Sequence, residues 1–190
     1  MIFIYCGGKC GGSTLRETLK SIDTVNHLHN KRDYKFLHNN MSLDILDEIT
    51  KHSKEKPTYV IDAYRERNSR KISSFFQNIN YHIGGDWKKF SLVQLMNEFK
   101  KIYDDLENYE AIDEVFNHFN IPLLTPNDEP YTVVKQGNLI LVKLKFSHIE
   151  DWGTHLTEIF QQPITIVKDN LTKDKEIYPL YCLFKSVFKN

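Results

Sequence analysis

The sequence predicts an α/β fold: three layers, a mostly parallel sheet with helices on both faces, and an antiparallel hairpin at one edge, all in a single domain over residues 1–190. Three observations predict it. The short apolar run Ile2-Phe3-Ile4-Tyr5 passes at once into the glycine-rich stretch Cys6-Gly7-Gly8-Lys9-Cys10-Gly11-Gly12-Ser13 and then into helical spacing, as when a buried strand leaves a sheet and hands over to a helix. Further on, β-forming runs alternate with amphipathic ones, the pattern of parallel strands joined by helical crossovers. In the C-terminal third, the runs Thr132 to Lys135 and Leu139 to Leu144 flank Gln136-Gly137-Asn138, a hairpin signal.

The elements follow in order. Leu15, Leu19 and Ile22 mark one face of a short helix that Ser13 or Thr14 can cap, and Thr24 to His29 reads as a second strand with His27 and His29 on one side of it. Asn30 to Met41 is polar and irregular, and Ser42 caps a helix carrying Leu43, Ile45, Leu46 and Ile49. Pro57 opens a third strand, Thr58 to Tyr64, and after Arg65-Glu66-Arg67-Asn68 the residues Ile72, Phe75, Phe76 and Ile79 form the cleanest helical stripe in the chain. Residues 80–90 read as a loop. Ser91 caps a helix with Leu92, Leu95, Met96, Phe99, Ile102, Tyr103 and Leu106 on its buried side, and a short helix spans Ala111 to Phe119. Pro122, Pro126 and Pro130 bracket a turn-rich connection to the hairpin, after which Ser147 to Phe160 is helical, Ile164 to Val167 a last strand and Thr172 to Phe188 a closing helix.

Composition removes several classes of function. Twenty-five basic residues balance twenty-five acidic ones, so no whole-chain field draws it to nucleic acid or an anionic membrane. The three cysteines, Cys6, Cys10 and Cys182, suit a reducing compartment, and two thiols flanking Lys9 are too few to suggest a zinc site, so no metal is expected. The opening apolar run is too short for a secretory signal, and no stretch approaches the ~20 apolar residues of a membrane span. A cytoplasmic protein without a membrane span is the expectation.

Gly7 to Ser13 has the frame Gly-x-x-x-x-Gly-Ser of a phosphate-cradling loop, but Lys9 sits inside the loop rather than directly after its last glycine. A second anion grip follows the third strand at Arg65. Lys9-Cys10-Gly11-Gly12-Ser13-Thr14-Leu15 resembles the 5′-phosphosulfate loop of sulfotransferases, Lys-x-Gly-(Ser/Thr)-(Ser/Thr)-(Ser/Thr)-Leu, and Arg65 with Ser73 eight residues on resembles their 3′-phosphate motif. Val25 to His29, Leu141 to Trp152 and Asn170 to Tyr178 are similar to segments of one branch, the capsular polysaccharide synthesis proteins of sulfotransferase type, while residues 80–130 match nothing in it. Gly12 departs from that pattern by replacing a hydroxyl residue, and Arg67 stands where proline is common.

The resemblance implies a P-loop-like sulfotransferase fold. It also implies transfer of a sulfuryl group from 3′-phosphoadenosine 5′-phosphosulfate (PAPS) to a hydroxyl of a carbohydrate or similar acceptor, with 3′-phosphoadenosine 5′-phosphate as product. Gly8, Lys9, Cys10, Gly11, Gly12, Ser13 and Thr14 would hold the 5′ end, and Arg65 and Ser73 the 3′-phosphate. Lys9 would also be catalytic, stabilising the leaving oxygen. The base on the acceptor hydroxyl is His29 first and His27 second, with Asp33 and His38 as further candidates. Two other classes stay open: a P-loop nucleoside or nucleotide kinase, for which Asp62 would be the magnesium ligand, and a non-catalytic nucleotide-binding module of the same fold. Tyr81, His82 and Trp87 read equally as sugar-stacking or lid residues, and Trp152 and Tyr178 as structural ones.

Overall fold

The opening apolar run forms strand β1 (Ile2–Tyr5), all four of its residues buried, in a computed structural model that describes residues 1–103, 112–122, 129–167 and 175–188. A strand without a polar face needs cover on both sides and partners on both edges. β1 lies parallel between β2 (Val25–Leu28) and β3 (Thr58–Tyr64). β3 pairs in parallel with β5 (Leu139–Lys145), and β4 (Tyr131–Gln136) closes that edge antiparallel to β5, giving the order β2-β1-β3-β5-β4. The predicted hairpin is present, and its turn is tighter than Gln136-Gly137-Asn138: Gln136 pairs with Leu139, leaving Gly137, with φ +59°, and Asn138 as the connection. The chain runs outward from β1 to β2 and then back across to β3, so the strand order reverses at β1. Open α/β sheets place ligands beyond strand ends at such a reversal.

Alternate residues of the strands feed two separate cores, as a period of two requires. Phe3, Tyr5, Leu28, Val60 and Leu141 pack with Tyr34 of α2 (Lys31–Leu37), Ile45 and Ile49 of α3 (Ile45–Glu55) and Val115 and Phe116 of α7 (Ile112–His118). Ile2, Ile4, Cys6, Ile61, Val142 and Leu144 pack with Leu15 and Leu19 of α1 (Gly12–Leu19) and Trp152 and Leu156 of α8 (Trp152–Phe160). The three predicted layers are complete within one compact unit, Met1–Tyr64 with Glu110–Asn170.

A second unit, Arg65–Tyr109 with Leu171–Asn190, has its own core. Here α4 (Arg67–Gln77), α5 (Ile79–His82), α6 (Leu92–Tyr103) and α9 (Tyr178–Val187) bury Phe75, Phe76, Phe99, Tyr181 and Phe184 against one another. The stripe Ile72, Phe75, Phe76, Ile79 is buried as predicted, but it closes on aromatic partners from α6 and α9. Phe75 stacks on Phe184 at 5.9 Å and meets Phe99 edge-on at 5.5 Å, geometries that add to simple burial.

Several local expectations change. Residues 31–37 are helical, not irregular, because the Asn30 side chain accepts from the N–H groups of Arg32 and Asp33. Asp44, not Ser42, caps α3; Ser42 donates to the Asn40 side chain. The predicted strand Ile164–Val167 joins no sheet. Its amides are taken by hydroxyls, Ile164 N–H donating to Thr157 and Val167 N–H to Thr18, while Ile164 and Ile166 cover the α1–α8 core. Residues 80–90 contain helical turns at Ile79–His82 and Trp87–Lys89. The Ser91 cap is as expected, a reciprocal box with Gln94. Leu106, Ala111, Pro126 and the segment from Asn170 to Asp174, which includes Thr172, lie outside the described residues. Among the described residues no helix is long and apolar enough to cross a membrane.

Candidate functional site

β1 stops pairing just where the glycines begin. Cys6 N–H still donates to Leu28 C=O at 3.1 Å, after which the chain turns through residues 7–11 and α1 starts at Gly12. Gly11, not Ser13 or Thr14, is the cap of α1; its backbone is left-handed at φ +91°, and Ser13 and Thr14 fall in the first turn. The N–H groups of that turn have no intrahelical acceptor and lie at the positive end of the helix dipole. Lys9 is also left-handed, at φ +70°, a conformation that costs a non-glycine residue on the order of 1 kcal/mol and is kept where surrounding structure holds it. Left-handed residues in a loop turn successive N–H groups inward, the geometry of anion-binding concavities.

The floor of the loop is Trp152. Its indole N–H donates to Lys145 C=O at 3.1 Å, and its ring leaves no space for a side chain at Gly11, where a Cβ would stand 2.8 Å from Cη2. Cys10 is buried in the same core and its thiol donates to Gly8 C=O at 3.7 Å, within the loop, while Gly8, Lys9 and Ser13 are half-buried and Thr14 is buried.

The two histidines on β2 and just beyond it take different surroundings, although their rings meet edge-on at 4.8 Å. His27 pairs in register with Ile4 and faces α1. Its Nε2 is shielded from water and has no hydrogen-bond partner. Burial pushes its pKa down to about 4, the positive charges of His29 and Arg16 add to that, and Asp33 opposes it. His27 is therefore a neutral imidazole near pH 7. His29 is exposed, its Nδ1–H donates to Cys6 C=O at 2.9 Å, and its own backbone N–H donates to Asp33. A carbonyl can only accept, so the neutral His29 ring carries its lone pair on Nε2. Of the two, His29 has the accessible nitrogen. Asp33 is engaged by His29 N–H and by Asn30, and His38 lies against Tyr34.

Gly12 acquires a physical reason. A Cβ on it would overlap His27 Nε2 and stand 2.9 Å from Cys6 Sγ. The hydroxyl residue usual at this place in the resembled motif does not fit beside His27. Gly12→Ser is therefore expected to destabilise the protein by about 1–3 kcal/mol, the cost of overpacking. The penalty should shrink when His27→Ala removes the ring. Urea titration of both single variants and the double variant measures the coupling, and equal penalties in both backgrounds would disprove the clash.

Arg65 and Ser73 belong to the second unit. Arg65 directly follows β3, and its guanidinium is held from within that unit: Nε–H donates to Ser69 Oγ at 3.1 Å and Nη2 to Tyr181 OH at 3.0 Å. Ser73 lies further along α4 and is buried, 6% exposed. Cys6, Trp152 as the loop floor, and Tyr181 were not legible as site residues. Cys6 and Trp152 act through strand register and core packing, and the one signal for Tyr181 is its position in an aromatic closing helix.

The structure thus defines a three-layer α/β protein with a glycine–lysine loop between its first strand and first helix, flanked by two histidines. No family model, no curated protein and no solved structure matches the chain.

Proposed function

We propose that the chain is a sulfotransferase that moves the sulfuryl group of PAPS to a hydroxyl of a carbohydrate or similar acceptor. The observation that carries this is Lys9. It is held left-handed within the loop, ahead of the first turn of α1 and at the sheet end where the strand order reverses. A lysine directly after the last glycine serves the terminal phosphates of a nucleoside triphosphate. One inside the loop serves a group lying against the loop itself.

The donor, when bound, supplies an activated sulfur and a phosphate leaving group; displacement is in line, as in phosphoryl transfer. The first-turn N–H groups and the Ser13 hydroxyl fix the 5′ end. Lys9 places its ammonium at the bridging oxygen where negative charge grows as the sulfur–oxygen bond breaks. His29 Nε2 takes the proton of the attacking hydroxyl, its ring aligned by the Nδ1–H bond to Cys6 C=O. Arg65, steadied by Ser69 and Tyr181, and Ser73 are assigned the 3′-phosphate.

Calorimetry tests this assignment. 3′-Phosphoadenosine 5′-phosphate is expected to bind at least ~10-fold more tightly than AMP, the gain from one charge-assisted hydrogen bond of about 1.5–3 kcal/mol. Arg65→Met should erase that preference and leave AMP binding in place. Equal affinity of the wild-type protein for the two nucleotides refutes the proposal, and magnesium-dependent ATP turnover would move the chain to the kinases.

A further inference from the structure

Counted along the sequence, thiols alone gave no metal site, but strand register gathers a mixed set. Cys6 ends β1, His27 lies on β2 opposite Ile4, and His29 follows β2. One donor atom from each of the three lies within 4.8 Å of the others. Two further observations mark this as a convergence of donors. His27 Nε2 is shielded from water and has no hydrogen-bond partner, an arrangement that leaves a polar atom's hydrogen-bonding capacity unused at a cost. Moreover, the place a Cβ on Gly12 would take overlaps His27 Nε2 and lies 2.9 Å from Cys6 Sγ, so donor atoms from two strands crowd the same side-chain-free stretch of backbone.

We infer that Cys6, His27 and His29 form a binding site for a thiophilic divalent cation, Zn²⁺ being the ion this donor set fits. One thiolate and two imidazoles match zinc in charge and softness, and three protein ligands leave a fourth, open position. The bonds of a tetrahedral zinc site, ~2.3 Å to sulfur and ~2.0 Å to nitrogen, put its donors about 3.5 Å apart, so modest side-chain rotation closes the set. One outer-shell contact is already made: His29 Nδ1–H donates to Cys6 C=O, which fixes the tautomer and leaves the lone pair on Nε2. Exposure of His29 provides the entry path. Binding releases the Cys6 thiol proton to the buffer as the thiolate–metal bond forms.

The site asks for no nucleotide, so it stands apart from the sulfotransferase proposal. Where transfer is observed, bound Zn²⁺ should suppress it by occupying the His29 lone pair that the acceptor proton needs.

The test is titration of the metal-free full chain with Co²⁺, read by absorption. One equivalent should produce a thiolate-to-cobalt charge-transfer band together with tetrahedral d–d bands, and one equivalent of Zn²⁺ should bleach them. Cys6→Ser should remove the charge-transfer band, with folding checked by circular dichroism. His29→Ala changes an exposed side chain and should weaken Zn²⁺ at least ~10-fold, since loss even of an outer-shell partner costs about 10–100-fold; this variant carries the test if Cys6→Ser does not fold. Absence of the band in the wild-type protein, its survival in Cys6→Ser, or unchanged Zn²⁺ affinity in His29→Ala overturns the inference.

Discussion

Lys9→Ala is expected to lower the rate of sulfuryl transfer by about 10²–10³, the usual cost of removing one preorganised donor aimed at developing charge, while 3′-phosphoadenosine 5′-phosphate binding falls far less. The division follows from geometry. On the proposed function, the first-turn N–H groups of α1 and the left-handed cap at Gly11 would hold the nucleotide with or without the ammonium, whereas charge would grow on the bridging oxygen only as the bond breaks. Alanine is the informative replacement because it keeps a Cβ at a position with φ +70°, so the loop stays as constrained as with lysine. Lys9→Gly would relax the backbone as well and mix two effects. Lys9→Arg keeps the charge on a planar group and should recover part of the rate. Single-turnover assays with a chelator present, which keeps any cation off His29, make the comparison clean. Equal and negligible turnover in the wild-type and Lys9→Ala proteins, with nucleotide binding intact in both, would sink the enzymatic proposal and leave a nucleotide-binding module.

What could be read from the sequence was what lies close along the chain. Ile2–Tyr5 and Thr58–Tyr64 were legible as strands because dense β-formers end at glycine or charge, and Gln136-Gly137-Asn138 between two apolar runs signalled the hairpin, though not that Gln136 belongs to its strand. α2 escaped because Lys31–Leu37 buries only Tyr34; with one apolar contact there is no periodic stripe, and its signal was the Asn30 cap alone. Ile164–Val167 misled for the opposite reason. Its β-propensity is real, but propensity does not say whether a sheet edge is available, and the hydroxyls of Thr157 and Thr18 took its amides. The stripe on α4 was legible, its partners were not: aromatic rings on α6 and α9 satisfy it within a helical unit. In the candidate site, Lys9 and the glycines were readable as a loop. The meeting of Gly12, Cys6 and His27 was not, since it depends on the pairing of Ile4 with His27 across two strands.

Trp152→Ala is expected to destabilise the protein by about 3–5 kcal/mol, the range for truncating a fully buried large aromatic residue. The ring is 0% exposed and meets Phe146 edge-on at 6.1 Å, so its removal opens a cavity lined by well-packed apolar atoms. It also strips Lys145 C=O of the indole N–H, a loss of about 1 kcal/mol that Trp152→Phe shares. Urea unfolding should show a lower midpoint with an unchanged slope, and a loss under ~1 kcal/mol would mean that the indole does not support the core. The same residue separates the two constraints on Gly11. In the wild-type background Gly11→Ala meets both a disfavoured left-handed backbone and the outer edge of the indole, Cη2 at 2.8 Å and Cζ3 at 3.1 Å. Phenylalanine lacks the bulk of the fused ring, so in a Trp152→Phe background the backbone penalty of about 1–2 kcal/mol and the contact with Phe146 Cε2 at 3.3 Å should remain while the indole clash is lost. The difference between the two Gly11→Ala penalties measures how firmly the core presses on the loop. If they are equal, the indole plays no part in selecting the glycine, and the Trp152 variants should leave nucleotide affinity unchanged; if the wild-type penalty is larger, affinity should fall as the floor is removed.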